Sequence, residues 1–275
     1  MSFSVNTNAG ALVALQNLST TQAQLQTTQN RINTGLKIAS AKDNAAIFGI
    51  AQNQRATSNS LNSVISSLQR GQSTVDVALS AGSSVSDLLN QMKEKALAAA
   101  DVTLDTTSRA ALNNEFISLR NQITTVTSNA VFNGANLIDG GTVQIQALAN
   151  ADASQVISVS HQSLALGGVN VTVTATATIN SAAAASVQIA ALNASIANVS
   201  SALGKLGTGS KALASHQTFI TNLQNTIDVG VGNLVDADLA KESANLQALQ
   251  TKQQLGIQAL SIANQSSSIL LGLFK

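Results

Sequence analysis

The chain has 275 residues, and 14 Lys and Arg against 13 Asp and Glu give a formal net charge of +1. Without a basic surplus there is no stripe of charge to neutralise phosphates, so the sequence predicts no nucleic-acid partner. It has no Cys, which excludes disulfides, thiolate catalysis and Cys-ligated metals, and no Pro to break a helix. The only aromatic residues are six Phe, so small aliphatic side chains must fill the core, as is typical of long packed helices.

Both ends of the chain are neutral and amphipathic. No ionisable side chain occurs in Met1–Asn30 or in Gln253–Phe274. Apolar residues repeat there at heptad-type spacing, which predicts that the two ends pair in a coiled coil buried in a larger assembly. The residues predicted to pack there are Leu15, Leu18, Leu25, Ile32, Leu239, Leu246, Leu249, Leu260, Ile262 and Ile269. Because polar residues interrupt both segments, we expect neither a secretory signal nor membrane insertion.

The first part of the chain predicts three helices. The first runs from about Asn8 to Ile32, and Gly35 is expected to end it in the left-handed conformation. Its predicted seam joins one row of Ala11, Leu18, Leu25 and Ile32 to a second row of Leu15, Gln22, Gln29 and Leu36. A polar connector leads into a second helix over residues 45–100. A third, capped by Asp105 or Thr106, runs to about Asn129 and packs antiparallel on the second.

The periodicity changes after the third helix. Asn133-Gly134 and Asp139-Gly140-Gly141 are typical hairpin turns, and residues 143–146, 156–159 and 169–174 alternate apolar and polar side chains. Short strands are therefore predicted over about residues 131–180. Helix resumes near Ser181, with interruptions expected at residues 230–232 and 236–238 before the last helix. The predicted fold class is mainly α: a long antiparallel helical bundle or coiled coil with a small β-hairpin region between the N- and C-terminal helices.

Motifs that would indicate catalysis are weak. Residues 204–211 superficially resemble a phosphate-binding loop, but Ser210 and Lys211 follow Gly209 in the wrong order and no strand precedes them. The two histidines, His161 and His216, form no His-Glu-x-x-His motif. We therefore expect no enzyme activity, no metal site and no cofactor.

Several motifs together resemble bacterial flagellin, and the resemblance covers nearly the whole chain. It begins at Asn6-Thr7-Asn8 and continues to the tail, residues 247–274. The motif residues are Gly35, Leu36, Lys42, Asp43, Asn44, Phe132, Asn133, Gly134, Asp236 and Asp238. The bulky outer domains of many flagellins are missing, and the low charge is similar to that of the alphaproteobacterial type.

The resemblance implies a structural subunit of the extracellular flagellar filament, exported unfolded by the type III apparatus and polymerised into a helical tube for motility. Residues 1–43 and 233–275 would form the discontinuous inner coiled-coil domain, and residues 44–232 the outer helical domain. The implied partners are further copies of the chain, an export chaperone, the filament cap and hook-junction proteins. Two alternatives stay open: a flagellin homologue at the hook–filament junction, and a secreted coiled-coil adhesin or effector.

The resemblance also concerns two surface properties. Many flagellins are recognised by Toll-like receptor 5 through an Arg on the long helix and a Glu on the next helix, and the matching positions here are Gln91 and Glu115. Because the Arg and its bidentate contact are lost, we expect weak recognition. The Ser and Thr residues of the strand section form either a solvated face or, as in flagellins of this type, sites of O-linked glycosylation.

Overall fold

The computed structural model describes residues 7–272, with side chains described as far as Gln265. Within these residues the helices are α1 (Ala9–Thr34), α2 (Ala45–Ala99), α3 (Thr106–Asn129), α4 (Ala182–Val235) and α5 (Leu239–Gly272). Two antiparallel strand pairs lie between α3 and α4: β1 (Val131–Phe132) with β2 (Ala135–Asn136), and β3 (Ile145–Leu148) with β4 (Val156–Val159). The predicted fold class, mainly α with a small β-hairpin region, is confirmed.

Two predicted helix ends are confirmed by their hydrogen bonds. Gly35 has a φ of 72°, and its N–H donates to the carbonyl of Arg31 at 2.9 Å, which closes α1 with a left-handed residue. Asp105 Oδ1 accepts hydrogen bonds from the backbone N–H groups of Thr107 at 2.8 Å and Ser108 at 2.9 Å. These amides would otherwise lack a partner in the first turn of α3. The hydrogen bonds from Ser108, side chain first, hold the pKa of Asp105 below its usual value.

The chain divides into two compact units. One contains the described residues up to Ala56 and from Thr226 onward, and the other is Thr57–Asn225. The first unit includes more of α2 and α4 than the expected domain boundaries at residues 43 and 233. The reason is an apolar cluster in which Ile38, Ala51, Val231 and Val235 are buried. It joins the connector after α1 to the first turns of α2 and the last turns of α4.

The unit Thr57–Asn225 has a continuous core of aliphatic side chains. The residues at every seventh position of α4 from Leu192 to Ile220 are at most 1% exposed, and Phe116 and Ile123 of α3 are fully buried.

Within the described residues, α4 is also the one helix that is long and apolar enough to cross a membrane, with a window of mean hydropathy 1.3. Of that window, 22% is buried.

The predicted strand over residues 169–174 is wrong. Val171 and Val173 are buried, as the alternation predicted, but apart from one isolated bridge the segment has no strand partner. The N–H of Thr172 instead donates to Ser195 Oγ, and Thr172 Oγ1 donates to the carbonyl of Ala191, both at 2.9 Å. Ser195 of α4 therefore satisfies a backbone N–H that a neighbouring strand would otherwise pair.

The hairpin predicted at residues 139–141 and the helix interruption predicted at residues 230–232 also differ from the structure. Asp139 Oδ1 accepts a hydrogen bond from the N–H of Gly141 at 2.8 Å, but β2 and β3 on either side of this turn do not pair, so no hairpin forms. Helix α4 continues through Gly230 to its end. The burial of Val231 and Val235 outweighs the helix penalty of about 1 kcal/mol for a glycine.

Gly209 of α4 permits close approach of β4. A Cβ atom added at Gly209 would lie 2.9 Å from Val159 Cγ1, and Val159 is 4% exposed and stiff about χ1. We therefore expect Gly209→Ala to lower the free energy of unfolding by about 1–3 kcal/mol. Urea denaturation followed by far-UV circular dichroism measures this change.

Gly204→Ala is the matched control in the same helix. A Cβ atom at Gly204 would meet no heavy atom within 4 Å. Since alanine favours helix over glycine, this variant should gain about 0.5–1 kcal/mol. Stabilisation by both substitutions would contradict the tight contact between Gly209 and β4.

Candidate functional site: the paired terminal helices

α1 and α5 pair in antiparallel orientation. Three contacts define the pairing: Asn8 Nδ2 donates to the carbonyl of Ala263 at 2.7 Å, a Cβ atom on Gly256 would lie 3.3 Å from Leu18 Cδ1, and Arg31 Nη1 lies 3.0 Å from Glu242 Oε1. Residue numbers rise along α1 as they fall along α5. The structure thus brings the two neutral ends of the chain together.

The seam on α1 combines a predicted row with a different second row. Its inward-facing positions are Ala11, Ala14, Leu18, Thr21, Leu25, Thr28 and Ile32. The second row is thus Ala14, Thr21 and Thr28, and the prediction of Leu15, Gln22 and Gln29 for the intrachain seam is wrong. Burying threonine costs less than burying glutamine because its hydroxyl can bond to its own helix, as Thr21 Oγ1 does to the carbonyl of Asn17 at 2.9 Å.

The seam on α5 keeps three of the predicted leucines. Its inward-facing positions are Leu246, Leu249, Gln253, Gly256, Leu260 and Ala263. Ile262 is exposed on the opposite side of α5, and Leu239, the first residue of α5, is also exposed, so neither is buried in the intrachain seam. Gly256 and Ala263 replace them as contacts because small residues let the two helices approach closely. Ile269 lies beyond the last residue whose side chain the structure describes.

Large apolar side chains remain on the outer faces of this pair. Six of them, between 53% and 68% exposed, are Leu12, Val13, Leu15, Leu255, Ile257 and Ile262. Fully burying one such side chain contributes about 1.5–3 kcal/mol. The outer faces therefore hold a substantial driving force for association that a single chain leaves unused.

One ion pair closes the charged end of the seam. The side chain of Glu242 is 10% exposed and that of Arg31 is 38% exposed. Glu242 Oε2 and Arg31 Nε are buried without a hydrogen-bond partner. Such a pair adds little net stability, but separating its members leaves a buried charge uncompensated. The pair therefore favours this alignment of α1 on α5 over shifted ones.

The motif residues of the connector after α1 organise its backbone. The carbonyl of Gly35 accepts a hydrogen bond from the N–H of Ala237 at 2.8 Å, and Leu36 forms an isolated antiparallel bridge with Asp236. Asp43 Oδ2 accepts from the N–H of Ser40 at 2.9 Å. This hydrogen bond is the largest cause of the lowered pKa of Asp43.

Two further motif residues begin helices. Asn44 Oδ1 accepts from the N–H of Ile47 at 3.1 Å at the start of α2, and Asp238 Oδ1 accepts from the N–H of Lys241 at 3.1 Å at the start of α5. The remaining residue of this motif, Lys42, is exposed. The roles of Asn44 and Asp238 are structural, because they mark where α2 and α5 begin.

The Phe132-Asn133-Gly134 motif forms the tight turn between β1 and β2. Asn133 has a φ of 49° and Gly134 a φ of 79°. Positive φ at both central residues is what a two-residue hairpin requires, and Asn-Gly provides it at low cost. The predicted hairpin at this motif is confirmed.

The two positions matched to an innate-receptor site lie in the unit Thr57–Asn225. Gln91 is exposed on α2. Glu115 of α3 forms an ion pair with Lys95, whose Nζ lies 2.6 Å from Glu115 Oε2. The hydrogen bond to this carboxylate raises the pKa of Lys95. The Glu115 carboxylate is thus already paired within the chain.

Sequence reasoning missed the residues that complete the seam. Ala14, Thr28 and Gly256 are small, and a search for large apolar residues passes over them. Arg31 and Glu242 had a detectable signal. Arg31 is the first ionisable side chain of the chain and directly follows its neutral segment, and both Arg31 and Glu242 fall in the helical register of their seams.

Family models match both helical ends of the chain. The model of the bacterial flagellin N-terminal helical region matches residues 5–142, and that of the C-terminal helical region matches residues 189–274. The chain belongs to the bacterial flagellin family. It is therefore a structural subunit of the extracellular flagellar filament, a role that requires polymerisation.

Individual relatives agree with this membership. Flagellin FljM of Caulobacter vibrioides is 57% identical over 99% of this chain and 98% of its own length. Flagellin of Brucella melitensis biotype 1 is 35% identical over 99% of both chains. A crystal structure of Bacillus cereus flagellin, 19% identical, aligns with 65% of this chain and 93% of its own at a TM-score of 0.40. The expected minimal, alphaproteobacterial type of flagellin is confirmed.

The ion pair of this flagellin predicts how its filaments respond to substitution. Arg31→Leu leaves the nearly buried Glu242 without its counter-charge, so the filaments should dissociate at a lower temperature. The expected loss is about 1–3 kcal/mol per subunit, since the partial exposure of Arg31 keeps it below that of a fully buried pair. Sedimentation of filaments across a temperature series measures the dissociation midpoint.

The double variant Arg31→Leu/Glu242→Leu is the matched control. It removes both charges and replaces them with apolar groups, so it should recover most of the lost midpoint. Equal midpoints for the single and double variants would show that Arg31 does not act through Glu242.

Proposed function

We propose that neighbouring copies of this flagellin cover the outer faces of α1 and α5, and that this burial drives polymerisation. The observation that supports it is the combination of exposed large apolar residues with a complete lack of ionisable side chains in Met1–Asn30 and Gln253–Phe274. A charge in these segments would lose its hydration among packed copies at a cost of several kcal/mol. Gln, Ser and Thr can instead hydrogen-bond between subunits.

The proposed filament-core residues fall into two groups. Leu18, Leu25, Ile32, Leu246, Leu249 and Leu260 pack between α1 and α5 of one chain. Leu15, Leu239 and Ile262 are exposed in one chain and would pack between chains. We assign both groups, together with Ile269, to an inner domain of residues 1–43 and 233–275, and residues 44–232 to an outer domain.

The terminal pair should order fully only in the filament. Ordering each residue costs about 1–2 kcal/mol of backbone entropy. The seam offers mainly small or polar side chains in return, such as Ala14, Thr21, Gln253 and Gly256. We propose that the ends are largely unfolded during export and become stable helices on polymerisation.

The export chaperone, the filament cap and the hook-junction proteins are proposed as further partners, by resemblance to the family. Exposed apolar residues on α1 and α5 support a need for shielding before assembly, because such surfaces promote non-specific association. A chain without Cys or Pro also suits passage in an unfolded state, since no disulfide or slow prolyl isomerisation intervenes.

We propose a structural role without catalysis. His161 Nε2 lies 3.0 Å from Asp139 Oδ1, and His216 Nε2 lies 2.7 Å from the carbonyl of Ala149, so both rings form hydrogen bonds within the chain. Among the described residues no group of three or more His, Cys, Asp or Glu could hold a metal ion. The junction homologue and the secreted adhesin gain no support from relatives that are themselves flagellins.

Val13, which is 58% exposed on α1, provides a test of the neutral outer faces. We expect Val13→Asp to raise the protein concentration needed for polymerisation at least tenfold, because burying the carboxylate between copies costs about 1.4 kcal/mol or more. Sedimentation of nucleated assemblies measures this concentration. Val13→Leu, which keeps the side chain apolar, should polymerise normally. Unchanged assembly of Val13→Asp would contradict the proposal.

Weak recognition by Toll-like receptor 5 is proposed from Gln91 and from the pairing of Glu115 with Lys95. In reporter cells the chain should be a poorer agonist than an enterobacterial flagellin. Gln91→Arg should increase the response, and Gln91→Lys should increase it less, since lysine cannot form a bidentate contact. A response of the unsubstituted chain equal to that of the enterobacterial protein would contradict this expectation.

A further inference from the structure

The pair of α1 and α5 carries two different apolar surfaces. The first, the end groove, is open to solvent and has a volume of about 430 Å³. It is lined by Thr7, Asn8, Ala11, Leu12, Leu15, Leu260 and Asn264. Leu12 and Leu15 form its wall on α1 and are more than half exposed, so the groove presents apolar surface that the chain itself does not cover.

The second surface, the back ridge, consists of Leu255, Gln258 and Ile262 on α5. Their spacing of three and four residues places them on one face of the helix. At about 100° per residue this face points away from the seam at Gly256 and Leu260. Leu255 is 59% exposed and Ile262 is 68% exposed.

Groove and ridge lie on different sides of α5. Leu260 and Asn264, which line the groove, are four residues apart and share a face that Ile257 extends. Ile257, one turn before Leu260 on that face, is 54% exposed. The back ridge, centred near Gln258, is rotated from that face by more than a quarter turn. One copy can therefore use both surfaces at once.

We infer that the back ridge of one copy docks into the end groove of a neighbouring copy. This contact rests on the proposed function, because it specifies which surfaces meet when the outer faces are covered. Both surfaces lie in segments without ionisable side chains, so an uncharged partner can cover them without stranding a charge. A second copy is such a partner, and the chain is a filament subunit whose copies meet.

The contact explains why assembly does not stop at a dimer. Groove and ridge are different patches, so each copy offers one of each to its neighbours. Contacts between unlike patches repeat from copy to copy and do not close on a pair. A ridge that met only another ridge would form a closed dimer.

Cysteine cross-linking tests the contact, since the natural chain has no Cys. Chains carrying both Leu15→Cys and Ile262→Cys are polymerised under reducing conditions, and the filaments are then oxidised and separated on a non-reducing gel. We expect a ladder of products longer than dimers, because each copy links to two neighbours. Filaments mixed from the two single variants should give dimers only.

Two cysteine pairs serve as the positive and the negative control of the cross-linking experiment. Leu18→Cys/Gly256→Cys should form an intrachain disulfide, because a Cβ atom on Gly256 would lie 3.8 Å from Leu18 Cβ, close to the usual disulfide spacing of about 3.8 Å. Asn17→Cys/Ile262→Cys places one cysteine at an exposed position on the opposite flank of α1 and should give no ladder. Leu12→Cys replaces Leu15→Cys on the same groove wall if the latter chain does not enter filaments.

Three results would overturn the inference. They are dimers formed by Ile262→Cys alone, a ladder as strong from the Asn17→Cys pair, or the absence of interchain products in intact filaments whose intrachain control is oxidised. None of them affects the broader proposal, which Val13→Asp tests at a position in neither surface. Normal assembly of Val13→Asp would contradict the proposal that burial of the neutral outer faces drives polymerisation, even if the ladder formed.

Discussion

Burial of uncharged helical faces is the interaction on which this molecule depends. In α1 and α5 that burial is incomplete within one chain. The seam uses small and polar residues such as Thr28 and Gly256, while Leu12 and Ile262 remain outside it. In the proposed filament, neighbouring copies would supply the burial that this pair lacks in one chain.

The rest of the first unit holds this pair in place. Gly35 ends α1, and the apolar cluster around Ile38 and Val235 fixes the connector against the start of α2 and the end of α4. Directly after the neutral N-terminal segment, Arg31 pairs with Glu242. This ion pair connects the end of α1 to the first turn of α5.

Much of this fold could be predicted from the sequence because its signals are local. Caps such as Asp105, the Asn133-Gly134 turn and the seven-residue repeat of α4 each depend on a few neighbouring residues, and all are present in the structure. The errors arose where tertiary contacts decide. Alternation at Val171 and Val173 predicted a strand, but side chains of α4 satisfy the backbone there. The seam of α1 contains threonines at positions where leucine and glutamine were predicted. The close approach of α5 depends on small side chains, and a search for leucines does not detect them.

Hydrogen–deuterium exchange of monomer and filament, resolved by segment, tests the central claim most directly. Backbone amides of α1 and α5 should exchange rapidly in the monomer and become strongly protected in the filament, because neighbouring copies then bury both helices. Amides of the buried faces of α2 and α4 within Thr57–Asn225 should be protected in both states. Equal and strong protection of α1 and α5 in the monomer would show that one chain suffices to stabilise the pair, and would contradict the account.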